Sequence, residues 1–149
     1  MLEVEVVGAH LAPDGPPRAT VENLCALAAA SAGVREGHLA IEYVDAERIA
    51  RLNLEHRGKE GPTDVLSFPI DGATPLDGAA SFDGPVRELG DVIICPEHTL
   101  DLREAIVHGV LHLVGMDHET DSGEMLALQA ELLARESQES RDQEPREPR

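Results

Sequence analysis

Three of the chain's seven histidines fall in the run HGVLHLVGMDH, as His108, His112 and His118. His108 and His112 are four residues apart, so on a helix their imidazoles project from one face, a turn from each other. Gly115 follows where a left-handed residue can end a helix and reverse the chain, carrying His118 back toward the same point. Three converging imidazoles with no thiolate suit one Zn²⁺ per chain and leave a fourth position for water, the arrangement of catalytic zinc. Water held by such an ion has its pKa lowered to about 7. An isolated pair four apart is equally well explained by two buried, hydrogen-bonded histidines, since burying either without a partner costs about 1–3 kcal/mol. The turning glycine and the third histidine move the balance to a metal site.

The spacing HxxxHxxGxxH is also that of the metzincin peptidases, whose pattern is HExxHxxGxxH. Here Gly109 stands where the water-activating Glu would be, so a zinc peptidase or other small-substrate metallohydrolase has the ligands without the base. Glycine there either admits backbone or substrate close to the metal or relieves helix packing. Asp117 and Glu119 adjoin His118, with nothing in the sequence to say where they point.

A second group of residues lies in LNLEHRGKEGPTDVLSFP, residues 52–69, beside Arg51. Arg51, Arg57 and Lys59, with His56 between them, are the densest basic patch of the chain. Arg57 falls near an expected helix end, where a cation complements the dipole. Alternatively its guanidinium fork receives a phosphate or carboxylate. Thr63, Asp64 and Ser67 are either turn hydrogen bonders or supports of a site. Asp91, opening a later strand, either caps backbone amides or orients a ligand histidine from behind.

These groups need a scaffold, and 149 residues make one domain with a real core. Leu2–Val7 alternates as a half-buried strand, and Thr20 is placed to cap a helix ending near Ala32 and Gly33. His38–Val44 reads as a strand, and Asp45 starts a helix closing near His56. PTDVLSFPI and Asp91–Cys95 read as strands, with a Gly- and Pro-rich surface loop over 71–88 between them. Leu102–Val114 is apolar almost all round, a buried helix, and a last helix spans about Ser122 to Arg135. From 136 to 149 the charged, Pro-containing segment reads as a disordered tail. The order βαβαββαα points to an α+β or α/β layer.

Twelve Lys and Arg against 29 Asp and Glu leave a net charge of -17, which repels phosphate backbones and argues against non-specific nucleic-acid binding. Three aromatic residues, Tyr43, Phe68 and Phe82, are too few for a base-stacking platform. Two cysteines without a CxxC exclude a disulfide framework or a thiolate zinc knuckle. No secretory signal or membrane span is visible, so a soluble cytoplasmic protein with no membrane partner is expected.

Three separated segments, LN–HR–PTDVLSFP (52–69), LGDVIIC (89–95) and HGVLHLVGMDH (108–118), resemble the YbeY family, bacterial rRNA maturation factors described as metal-dependent single-strand endoribonucleases. The resemblance covers residues 1–135. It implies an α+β, zincin-like single domain in which a small mixed β-sheet packs on helices. It implies zinc held by His108, His112 and His118, and a catalytic arginine at Arg57. Asp64, Ser67, Asp91 and Asp117 are candidates to support that site. The implied substrate is single-stranded rRNA, with roles in maturing the small-subunit 3′ end and in ribosome quality control. The implied partners are components of the ribosome or its small subunit. A non-catalytic assembly factor using zinc structurally is the other reading. Met116 departs from the family, which often has Tyr there, and a positively lined cleft would have to come from the Arg51–Arg57–Lys59 patch.

Overall fold

The computed structural model describes residues 2–70, 87–116 and 122–143. Its strands are β1 (Leu2–Val7), β2 (Gly37–Tyr43), β3 (Val65–Pro69) and β4 (Glu88–Ile94); its helices are α1 (Arg18–Ser31), α2 (Ala46–Arg57), α3 (Leu102–Leu113) and α4 (Glu124–Gln143). The sheet has the order β1-β2-β4-β3, with β1, β2 and β4 parallel and β3 antiparallel to β4. The expected small mixed sheet packed on helices is therefore present, in a mixed α/β domain.

Side chains alternate across the strands, and both faces of the β4 region are apolar because both are covered. One face carries Val4, Leu39, Ile41, Tyr43, Val92 and Ile94 against Leu24 and Ala28 of α1, Ile106 and Val110 of α3, and Met125 and Leu132 of α4. The other face is smaller, with Leu66, Ile93 and Cys95 packed on Ile49 of α2. Over β1 this second face is polar, and Glu3 and Glu5 are exposed.

Local chemistry sets the helix ends that matter for the site. The Asp45 carboxylate accepts from Arg48 N at 2.8 Å to start α2, and Gly58, at φ +66°, ends it just after Arg57. Asp101 accepts from Arg103 N at 3.0 Å and Glu104 N at 3.2 Å to start α3. Gly115, at φ +98°, turns the chain after α3, with Met116 N donating to Leu111 O at 3.0 Å.

Three expectations change, and a fourth falls almost wholly outside the described residues. Helix α1 begins at Arg18 behind Pro17, whose carbonyl accepts from Val21 N at 3.0 Å, so Thr20 lies inside the helix rather than at its cap. Strand β4 begins at Glu88, three residues before Asp91, because Gly90 at φ +138° lets the backbone pass close to β3. The loop expected over 71–88 lies outside the described residues up to position 86. The disordered tail expected from 136 is helical through Gln143; residues 144–149 lie outside the described ones. Glu136 is buried and accepts from Arg103 Nη2 of α3 at 2.6 Å, a guanidinium nitrogen that also reaches Leu133 O and Ser137 Oγ.

Two predictions follow from this scaffold. Glu136→Ala should lower stability by about 1–2 kcal/mol in denaturant unfolding, because it strips Arg103, itself part-exposed, of its carboxylate. Retained stability would return residue 136 to a solvated tail. His38 joins three strands on the polar face, its Nδ1 lying 2.8 Å from Glu88 and its Nε2 3.6 Å from Glu5. The hydrogen bond to Glu88 raises the His38 pKa above its ordinary 6.5. A raised pKa means stabilisation that is complete below pH 6.5 and is lost as pH rises through the shifted value. The gap in melting temperature between wild type and His38→Gln should accordingly be wider in mild acid than in alkali.

Candidate functional site

The C-terminal ends of α2 and α3 and the strand β3 meet around a cleft of about 880 Å³ lined by His56, Arg57, Thr63, Asp64, Ser67, Phe68, His108, His112 and Met116, among others. Two separate sequence signals, the histidine helix and the HR–PTDVLSFP segment, are thus parts of one surface. His108 and His112 present their Nε2 atoms to each other at 3.1 Å, with the rings 4.7 Å apart and inclined at 75°. Two ligands of a tetrahedral zinc with bonds of about 2.0–2.1 Å lie roughly 3.3 Å apart, so these two nitrogens fit as neighbouring vertices. His118 and Asp117 lie outside the described residues, and among the described ones no cluster of three metal-ligating groups occurs.

Behind the pair stands Gln129 of α4, almost fully buried, with Oε1 2.9 Å from His108 Nδ1. The sequence reading missed it. A signal was available: residues 125, 129, 132 and 136 form the inward stripe of α4, as Met, Gln, Leu and Glu. Polar residues on such a stripe need partners elsewhere, which here are His108 and Arg103.

Gly109 occupies the point where α3 comes nearest the sheet. A Cβ there would collide with Val92 Cγ1 and stand 3.1 Å from Cγ2 and 3.3 Å from Ser67 Oγ. Of the two readings of this glycine, helix packing is the one realised. Position 109 faces the sheet, where Val92 occupies the space that a larger side chain would need. Ser67 Oγ donates to Gly109 O at 2.9 Å, tying β3 to the histidine helix between its two imidazoles.

Arg57 lines the cleft and is its one Arg or Lys among the described residues. Arg51 faces Glu47 at 3.6 Å on the exposed side of α2, and neither it nor Lys59 is among the lining residues. Beside Arg57, His56 packs edge-on against Phe68, ring centres 4.9 Å apart. Asn53, buried one turn earlier, donates from Nδ2 to Gly61 O at 3.0 Å and holds the loop between α2 and β3.

Asp64 turns back on its own chain. Its carboxylate accepts from Val65 N at 2.9 Å and Thr63 Oγ1 at 3.3 Å, which makes it the start of β3 at the cleft's rim. Asp91 is not brought to the histidines. It pairs with Phe68 and Ala40, while its neighbour Val92 is the residue that touches α3, so alternation sends the Asp91 side chain to the opposite face. The thiols of Cys25 and Cys95 are buried, and burial pushes both pKa values up, so neither supplies a thiolate.

The endoribonuclease YbeY family profile matches residues 16–137. The chain is 40% identical over 133 residues to the endoribonuclease YbeY of Rubrobacter xylanophilus, covering 85% of this chain and 86% of that protein. It is 41% identical over 115 residues to the endoribonuclease YbeY of Acinetobacter baylyi, covering 67% and 70% respectively. A solution structure of a Thermotoga maritima protein has the same fold at a TM-score of 0.50 and 22% identity, covering 93% of this chain and 92% of that one.

Gly109→Ala should destabilise the fold by about 1–3 kcal/mol, the usual range for inserting a methyl group into a closed contact. Pairing it with Val92→Ala should recover much of that loss. Thermal unfolding of both variants measures it, and an unchanged single variant would show that α3 has room to move off the sheet.

Proposed function

The chain belongs to the endoribonuclease YbeY family, and from that premise we propose that it is a zinc-dependent endoribonuclease that cuts single-stranded ribosomal RNA. The observation that carries this reading is the shared cleft: two imidazole nitrogens at metal-ligand spacing, and a guanidinium at the end of the facing helix. His108 and His112 would hold the ion with His118 as third ligand. A bound zinc supplies Lewis acidity, polarising a phosphoryl oxygen and lowering the pKa of water.

The protein's own groups divide the remaining work. Arg57 receives the scissile phosphate, because a planar fork of donors matches two phosphate oxygens and stabilises charge that develops on them. Asp45 and Gly58 fix the length of α2 and so set where that fork starts. Ser67 keeps β3 seated on α3, and Asp64 shapes the rim over which a strand would enter. Phe68 and Met116 give the cleft apolar walls for a nucleoside. A histidine helix lying under a mixed sheet supports the zincin-like description. Gly109, turned into the sheet, weighs against a peptidase.

On this reading the substrates include the small-subunit rRNA 3′ end, the partners are components of the ribosome or its small subunit, and the work extends to ribosome quality control. The cytoplasm is where such RNA is processed. No helix among the described residues is long and apolar enough to cross a membrane. With a chain charge of -17, the site must admit RNA against the general field, and Arg57 is the cation placed to do so.

The test is cleavage of single-stranded RNA by zinc-loaded protein, with a chelator control and sequencing of the product ends. Wild type should bind about one zinc per chain and His112→Ala should bind none tightly. Arg57→Ala should keep its fold and zinc but lose about 10²–10³ in rate, while Arg57→Lys recovers part. RNA left intact by zinc-loaded wild type would overturn the reading; full activity of Arg57→Ala would remove the arginine from it.

A further inference from the structure

Among the described residues, Gln129 is a buried polar side chain that reaches the histidine pair from another helix, and its role is not accounted for by packing. Its neighbours on the inward stripe of α4, Met125 and Leu132, are buried apolar residues of the main core. A third apolar residue there would satisfy the core. Instead an amide occupies the position, with only 7% of its surface exposed, and its oxygen meets an imidazole nitrogen at 2.9 Å.

An amide oxygen only accepts hydrogen bonds. Its partner Nδ1 of His108 must then carry the ring's N–H, and in a neutral imidazole that leaves Nε2 with a lone pair. This Nε2 is the atom turned toward His112 Nε2, 3.1 Å away, inside the cleft. The same contact fixes the ring's plane, because a rotation that removed Nε2 from the cleft would break the bond at Nδ1. We propose that Gln129 is a positioning residue that holds His108 in the Nδ1-protonated tautomer, with Nε2 presented to the cleft as a ligand for zinc. This rests on the zinc reading given above, and it adds that a neighbouring helix, rather than α3 itself, decides which nitrogen of His108 can bind.

A merely structural glutamine would influence folding only. A positioning one changes the ring's proton distribution in the metal-free protein and the affinity for the ion in the loaded one. The variants are Gln129→Met, which keeps the length and removes the acceptor, and Gln129→Glu, which keeps the acceptor and adds charge. In metal-free wild type, long-range proton–nitrogen NMR at a pH where the imidazoles are neutral should show His108 protonated at Nδ1. In Gln129→Met the proton should shift toward Nε2. Zinc affinity, measured by competition with a colorimetric chelator, should fall about 10–100-fold in Gln129→Met and return to wild-type strength or better in Gln129→Glu.

An Nε2-protonated His108 in wild type would overturn the proposal, as would unchanged NMR or unchanged zinc affinity in a folded Gln129→Met. If Gln129→Met does not fold, the wild-type tautomer and the affinity of Gln129→Glu still decide. A wild type that binds no zinc at all defeats the zinc reading and with it the ligand part of this proposal. The NMR result then separately decides whether Gln129 sets the tautomer.

Discussion

Everything at the site depends on how closely α3 lies against β3 and β4. The contact is made at Gly109, where Val92 fills the space a side chain would take and Ser67 hydrogen-bonds to the helix carbonyl. Position 109 is one residue past His108 and three before His112, so pressing it into the sheet turns both imidazoles to the side. That side is the cleft. A helix standing farther off would be free to roll, and its two nitrogens would lose their common aim. Packing density and chemical geometry are therefore one constraint here.

Two elements brace that helix from its other flanks. Asp101 fixes its first turn, and α4 crosses it with Gln129 behind one imidazole and Glu136 on Arg103. Both of these contacts are polar, and in both the α4 partner is buried. They specify one relative placement of the two helices, because a polar partner shifted by a residue is lost where an apolar contact would merely change neighbours. The guanidinium on α2 is aligned separately, by a carboxylate cap at one end and a left-handed glycine at the other.

Much of this was legible in the residues. The four-residue spacing of His108 and His112 placed them on one helix face, and Gly115 marked the reversal that follows. Asp45 and the periodicity after it marked α2. Other features depend on partners far along the chain and left weak local traces. Glu136 sits in a stretch whose composition is that of a tail, yet it is buried in α4 and pairs with Arg103, 33 residues earlier. Asp91 looked like a support for a histidine, but alternation with its neighbour Val92, which touches α3, turns it to the far face. Gly109 read as a missing base; its cause is a valine on a strand that pairs elsewhere. His118 and Asp117, which the spacing also selected, lie outside the described residues.

The strand order has a consequence for how the chain is made. β2 lies between β1, which precedes it, and β4, which follows after α2 and β3. During synthesis β1, α1 and β2 can assemble early, but the second edge of β2 stays unpaired until β4 arrives, and β3 has no other strand to join. Parallel pairings across such intervals form slowly and leave open edges that recruit other chains. The carboxylates at Glu3, Glu5 and Glu42 lie along that early pair. Acidic strands repel their own copies, so surplus negative charge at these positions works against aggregation of the half-made sheet.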